Sequence, residues 1–434
     1  MKVLVSAHWC ASREGSEGYF GWSAVQCLSK DHELWVLTSS RNKSDLEQAK
    51  SDSLVQPNVS FIFLGGPFKP PHANRWIARL QSWKEYYKFS VISLGAAREL
   101  YQEIRFDLMH HVTVATWRFG SPLWRLGVPF VFGPVGGNEK FPVRFFPTLS
   151  HKALVFELLR ATSNVVFRLS PSVRACVRNA SHVLAANFET LSLMKKLRVS
   201  DRGVSLLSPG FHSKAKINEF AQYTHLKTLD GPLRLFSGGS LEGRKGVALA
   251  LSALAEAKRK GLNFRYRLGG SGPERGYLER FAGDLGLREE VIFGESLCGE
   301  AYRKELCTTH LFLLPSLRES AGLTMMEAML AGCVPIVADC GGPAHIVTDE
   351  CGYKIPASDP EELVERLVEV ILSLDRNRQI IVNKGRAAAK RIASHFSEEN
   401  YRKSINEVYV LVTGGPARMS YANHATGSPI HRCG

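Results

Sequence analysis

A chain of 434 residues is too long for one hydrophobic core, so two domains of roughly 200 residues each are expected. Hydrophobic residues make up 44% and charged residues 22%, an ordinary globular balance that excludes a chain disordered throughout. The formal net charge of +14 points to phosphate-bearing partners, whether nucleotide, nucleic acid or anionic lipid.

Taken from the start, Lys2–Ala7 is a short apolar run that reads as a buried strand. It is too short for the apolar core of a signal peptide. A loop with Gly15, Gly18 and Gly21 follows, then a helix near 21–30 and a second apolar strand over 33–38. Further strands are expected at 59–64, 108–111, 130–133 and 182–185. Short apolar strands alternating with helices signal a parallel sheet covered on both faces. The stretch 209–230 lacks periodicity and reads as a connection. A second alternating unit then begins, with strands at 233–237, 264–269, 291–293, 311–315 and 334–337. Its helices fall near 247–260, 274–285, 323–331 and 360–374, and a last helix near 398–412. The expected domains are therefore 1–209, a linker 210–230, a second doubly wound domain 231–395, a C-terminal helix 396–413 and a disordered tail 414–434. In such α/β folds, ligands bind beyond the C-terminal ends of the strands.

Residues 139–180 carry seven Lys/Arg against two acidic residues, together with apolar runs such as Phe145-Phe146 and Ala153-Leu154-Val155-Phe156. Two readings fit: a helical surface that lies against a membrane interface, or a solvated basic face over an ordinary core. No run of about 18 apolar residues, the length that spans a bilayer, occurs. The nine cysteines include no C-x-x-C pair and read as buried thiols in a reducing compartment. The expected location is cytoplasmic, with a peripheral position at the inner membrane face as its extension.

The strongest chemical signal is the run 315–329, PSLRESAGLTMMEAM. A strand ends, a loop follows and a helix opens near Gly322, presenting unpaired backbone N–H groups that suit a diphosphate. Glu319 lies at that mouth and Glu327 eight residues on, roughly 12 Å along the axis if the interval is helical. The downstream Gly332, Pro335-Ile336-Val337 and Gly341-Gly342 complete the pattern. The whole run resembles glycosyltransferase family 4, whose members show E-x7-E within P-S-x-x-E-x-x-G-L-x-x-x-E-A-M. The resemblance implies a two-domain GT-B fold, with Rossmann-like units facing across a cleft. It further implies that Glu319 contacts the donor hexose, that Glu327 contacts the nucleotide ribose, and that amides around Ser320, Ala321, Gly322 and Leu323 hold the diphosphate.

A second glycine-rich turn, 236–246, carries Ser240, Arg244 and Lys245. Glycines let backbone approach phosphate and the cations offset its charge. Family members read G-R-L-x-x-x-K-G here; Lys245 matches the lysine, while Ser240, or Gly239 under a shifted alignment, stands in the arginine's place and Arg244 is a candidate substitute. Gly270 and Gly272 resemble the family's G-x-G-P segment, and Phe293 lies in a strand resembling the one whose backbone reads the base. In the first half, Gly15 and Gly18 lie where the family has a glycine-rich segment near donor phosphate. His111, favoured over His110, resembles the family histidine near the scissile bond. The loop 133–138 reads as acceptor-side backbone.

The resemblance implies a retaining hexosyltransferase in polysaccharide or glycoconjugate synthesis. It would use a nucleotide diphosphate sugar as donor and a lipid-linked or saccharide acceptor, with no cofactor. No D-x-D pair occurs, which fits a site without a metal. Nucleic acid is not an expected partner, since no basic-aromatic module accompanies the charge. Two alternatives stay open: a nucleotide-sugar epimerase on the same fold, and a catalytically degenerate subunit, the latter motivated by Ser240.

Overall fold

The computed structural model describes residues 1–12, 16–66, 75–295 and 297–414. The chain divides into two compact units. The first comprises residues 1–138, 163–209 and 401–414; the second comprises 139–162 and 210–400.

The first unit is built on seven parallel strands: β1 (Lys2–Ala7), β2 (Glu33–Ser39), β3 (Val59–Leu64), β4 (Leu108–Thr113), β5 (Phe130–Val135), β6 (His182–Ala185) and β7 (Val204–Leu206). Their order across the sheet is β3-β2-β1-β4-β5-β6-β7. Every residue of β4 and β5 is buried, as expected of strands covered on both faces. The direction of winding reverses between β1 and β4, so the ends of these two strands flank the switch point.

The second unit repeats the plan with β8 (Leu233–Gly238), β9 (Phe264–Gly269), β10 (Val291–Gly294), β11 (Leu311–Leu314), β12 (Val334–Ala338) and β13 (Tyr353–Ile355). Their order is β10-β9-β8-β11-β12-β13, again all parallel, with the reversal between β8 and β11. Both phosphate-type motifs, 239–246 and 315–322, follow these two strands. Topology therefore brings together segments far apart in sequence.

Three boundaries differ from the sequence reading. Residues 210–230 hold the helix Lys214–Ala221, whose Phe220 is fully buried in the core of the second unit, so this stretch is structure rather than linker. Residues 139–162 leave the first half of the chain and pack with the second unit, because Phe141 and Phe145 complete its core. The terminal helix Glu398–Thr413 ends in the first unit, where the Tyr409 hydroxyl meets His110. The expected tail beyond residue 414 lies outside the described residues. Among the described residues eight cysteines are free thiols, six of them buried.

Burial also sets the acid response. Burial holds His8 and His110 down to about 3, and His111, His182, His212, His310 and His345 to about 4. These rings stay neutral in the fold, whereas the unfolded chain takes up protons below the ordinary value of 6.5. Stability is therefore lost as pH falls from about 6.5 towards 4, by roughly 1.4 kcal/mol per pH unit for each such ring. Urea unfolding measured across this range should show a steep fall in midpoint; a flat profile would contradict the burial of these histidines.

Candidate active site

At the end of β8 the chain enters the glycine-rich turn and a short 3-10 turn, Gly243–Lys245. Gly246 then closes the turn at φ +67°, and a Cβ there would lie 2.1 Å from the Pro315 carbonyl oxygen. Only glycine lets the two loops touch backbone to backbone. The contact is stitched by the Arg244 carbonyl, which accepts from the Leu317 N–H at 2.9 Å and the Ser316 hydroxyl at 3.1 Å.

That stitch aims both cations of the first motif at the acid of the second. The Lys245 ammonium pairs directly with Glu319 Oε2, and Arg244 Nη1 lies 3.3 Å from the same oxygen. Arg244 also spans Glu242, at 2.7 Å from its Nε, and the Arg318 carbonyl, at 3.0 Å from its Nη1. Burial alone would raise the Glu319 carboxyl; Lys245 and then Arg244 outweigh it and hold the group below its usual range. Burial would likewise lower Arg244, but Glu319 and Glu242 reverse the direction. The result is two cations converging on one ionised carboxylate at the sheet's switch point, a natural site for a doubly charged phosphate group.

Glu319 and Glu327 are not joined by continuous helix. The helix runs Leu323–Leu330, and its cap Gly322 is left-handed at φ +80°, so residues 319–322 turn rather than climb. The 12 Å axial separation expected from sequence therefore does not apply, because half of the interval is loop. Glu327 instead receives the Tyr302 hydroxyl at 2.8 Å and pairs with Lys216 at 3.2 Å. Gly342 supports the loop from below: its N–H donates to the Glu319 carbonyl at 2.9 Å, and a Cβ there would clash at 2.1 Å with the Ser320 carbonyl oxygen.

Residues that sequence reasoning passed over hold this loop. Arg318 forms a bidentate pair with Glu157, Nη2 to Oε1 at 2.7 Å and Nε to Oε2 at 3.1 Å. The Ser320 hydroxyl donates to Glu139 at 2.7 Å, and Glu139 also pairs with Arg160 at 3.2 Å. Glu139 and Glu157 are the two acids of the basic stretch 139–180; their rarity there was the available signal, but their partners could not be read from sequence.

The turn holding Gly270 and Gly272 packs on the first motif. Leu241 N–H donates to the Ser271 carbonyl at 2.9 Å, and a Cβ on Gly272 would meet the Leu241 oxygen at 2.4 Å. Ser240, Arg244, Lys245, Gly270, Gly272 and the segment 319–323 are thus brought together. Phe293 lies at the end of β10, its carbonyl accepting from Arg275 at 2.8 Å.

The first-half candidates fall in the first unit. Gly15 lies outside the described residues. Gly18 is in the helix Ser16–Leu28 rather than a loop, its carbonyl accepting from the Ala11 N–H at 3.1 Å. Glu17 in the same helix accepts from the Ala115 N–H at 2.7 Å, and burial raises its carboxyl. His110 and His111 are both buried in β4. His110 donates from Nε2 to the Gly133 carbonyl at 2.6 Å and accepts at Nδ1 from Tyr409 at 2.7 Å. His111 donates from Nε2 to the Val114 carbonyl at 3.2 Å, and its Nδ1 has no partner among the described residues. Of the two, only His111 keeps a lone pair unengaged. The loop after β5 is tied inward, with the Gly137 carbonyl accepting from Arg118 at 2.6 Å.

Two doubly wound parallel sheets in succession, with a cation-lined turn at the second switch point, define the GT-B architecture. The fold aligns with the structure of Anabaena HepE in complex with UDP and glucose at a TM-score of 0.57 and 16% identity, over 94% of this chain and 98% of that one. Residues 225–388 match the family described as glycosyl transferases group 1. The chain is 29% identical over 174 residues to an uncharacterized glycosyltransferase of Methanocaldococcus jannaschii, covering 40% of this chain and 43% of that protein. It is 24% identical over 197 residues to the putative colanic acid biosynthesis glycosyltransferase WcaL of Salmonella typhimurium, covering 43% of this chain and 48% of the relative. The match thus spans less than half the length of either curated relative.

The Glu157 pair gives a direct test of how the loop is held. Glu157→Gln leaves a buried arginine uncompensated and should destabilise the protein by about 3 kcal/mol in urea unfolding. Pairing it with Arg318→Met should recover much of that loss. Equal losses in the single and double variants would contradict the pairing.

Proposed function

We propose that the chain is a retaining glycosyltransferase that moves a hexosyl unit from a nucleotide diphosphate sugar to a saccharide or lipid-linked acceptor without a metal ion. The observation that carries this reading is the convergence of Lys245 and Arg244 on Glu319 at the switch point of a sheet within the segment that matches group 1 glycosyltransferases. A donor diphosphate and the Glu319 carboxylate are competing anions for these two cations. Taking over the cations frees Glu319 to orient the hexose hydroxyls. Breaking the bond from C1 to phosphate oxygen places its electron pair on the diphosphate, where Lys245, Arg244 and the amides of 321–323 stabilise it. Glu327, fixed by Tyr302 and Lys216, serves the ribose. His111 is assigned to the donor sugar on the family resemblance of its segment alone. The WcaL relative supports a role in polysaccharide synthesis, and the UDP complex of HepE supports a uridine nucleotide.

Arg244 answers the departure at Ser240: it supplies a second cation from a position one residue before Lys245. A degenerate binding subunit is the second reading, favoured by the same Ser240. It would bind nucleotide sugar without turning it over.

Thermal unfolding in EDTA with UDP-, GDP- and ADP-sugars tests for the metal-free donor site, and release of nucleoside diphosphate from the stabilising sugar separates turnover from binding alone. One nucleotide class should raise Tm by about 5 °C at saturating ligand, an effect lost in Lys245→Ala and Glu327→Ala and weakened in Arg244→Ala. Stabilisation that requires added divalent metal, or none with any nucleotide, would contradict the proposal.

A further inference from the structure

The helix His151–Leu169 has a face that a water-exposed helix does not normally show. Val155, Leu158, Leu159, Val165, Val166 and Leu169 are each between 47% and 63% exposed. At 3.6 residues per turn these positions form one stripe along the helix, roughly 20 Å long. Thr162 falls within the stripe, but its hydroxyl turns back to donate to the Leu158 carbonyl at 2.9 Å. The polar groups of this helix, Glu157 and Arg160 among them, are drawn inward into the pairs with Arg318 and Glu139.

Charge decides what fits this face. Lys140, Arg144 and Lys152, before and at the start of the helix, are exposed. The only two acidic residues of 139–180 are buried, Glu139 at 3% and Glu157 at 6% exposure. Among the described residues, the surface that 139–169 presents therefore combines an aliphatic stripe with cations and no exposed carboxylate of its own. That is the composition of a helix lying in a lipid interface, its apolar side among the acyl chains and its cations among anionic headgroups.

We propose that this helix docks the protein on an anionic membrane surface. The docking needs no transmembrane segment, and among the described residues no helix is long and apolar enough to cross a membrane. It stands independently of the reaction assigned above, since it is read by lipid binding alone. The neighbouring segment 139–157 also holds the Glu319 loop through Glu139 and Glu157, so the docking element and the donor site share one stretch of chain.

Cosedimentation of the full chain with phosphatidylglycerol and phosphatidylcholine vesicles tests it. Binding is expected to the anionic vesicles and not the zwitterionic ones, and to weaken with added salt. Leu159→Asp with Val166→Asp should weaken it at least about tenfold without lowering Tm. Arg144→Glu with Lys152→Glu is a second variant that leaves the stripe intact and should also lose binding. Absence of binding to anionic vesicles would overturn the proposal, as would binding unchanged in both variants. Self-association in analytical ultracentrifugation that the Asp variant abolishes would overturn it in favour of an interface between copies.

Discussion

The second unit depends on an ion pair made possible by a glycine. Gly246 lets the turn after β8 touch the loop after β11, and that contact puts Lys245 and Arg244 on Glu319. A side chain at Gly246 would separate the two loops and leave a partly buried carboxylate and two cations without each other. The same arrangement that satisfies these charges supplies what the proposed anion site requires, because cations already held together need little reorganisation to meet a phosphate.

The topology explains why the chemistry gathers there. The strand order reverses between β8 and β11, so the loops leaving these paired strands meet at the crevice of the switch point. The helix Leu323–Leu330 then opens towards that crevice with its first amides unpaired within the helix. Glu157 and Glu139 brace the loop from a segment that precedes the rest of the second unit in sequence.

Much of this was legible in the sequence. The strands are short apolar runs, and 264–269 and 59–64 are read to the residue. The E-x7-E run and the glycine-lysine turn stand out through their resemblance to the family motifs. Long-range partners were not legible. Nothing local tells Glu157 that it will meet Arg318, or assigns residues 139–162 to the second unit and 401–414 to the first. Gly322 shows a subtler limit: its left-handed backbone turns the interval between Glu319 and Glu327, which a periodicity argument treats as helix. The two histidines of β4 look alike in sequence, and only packing distinguishes them, by engaging both nitrogens of His110 and one of His111.

The claim that a diphosphate competes with Glu319 for the two cations is tested most directly by UDP affinity in a double-variant cycle, measured by calorimetry. Glu319→Gln should tighten UDP several-fold by removing the competing anion, Lys245→Met should weaken it by about tenfold or more, and the gain from Glu319→Gln should vanish in the Lys245→Met background. Loss of UDP affinity in Glu319→Gln comparable to that in Lys245→Met would contradict the account, because the carboxylate would then be part of the nucleotide site rather than its rival.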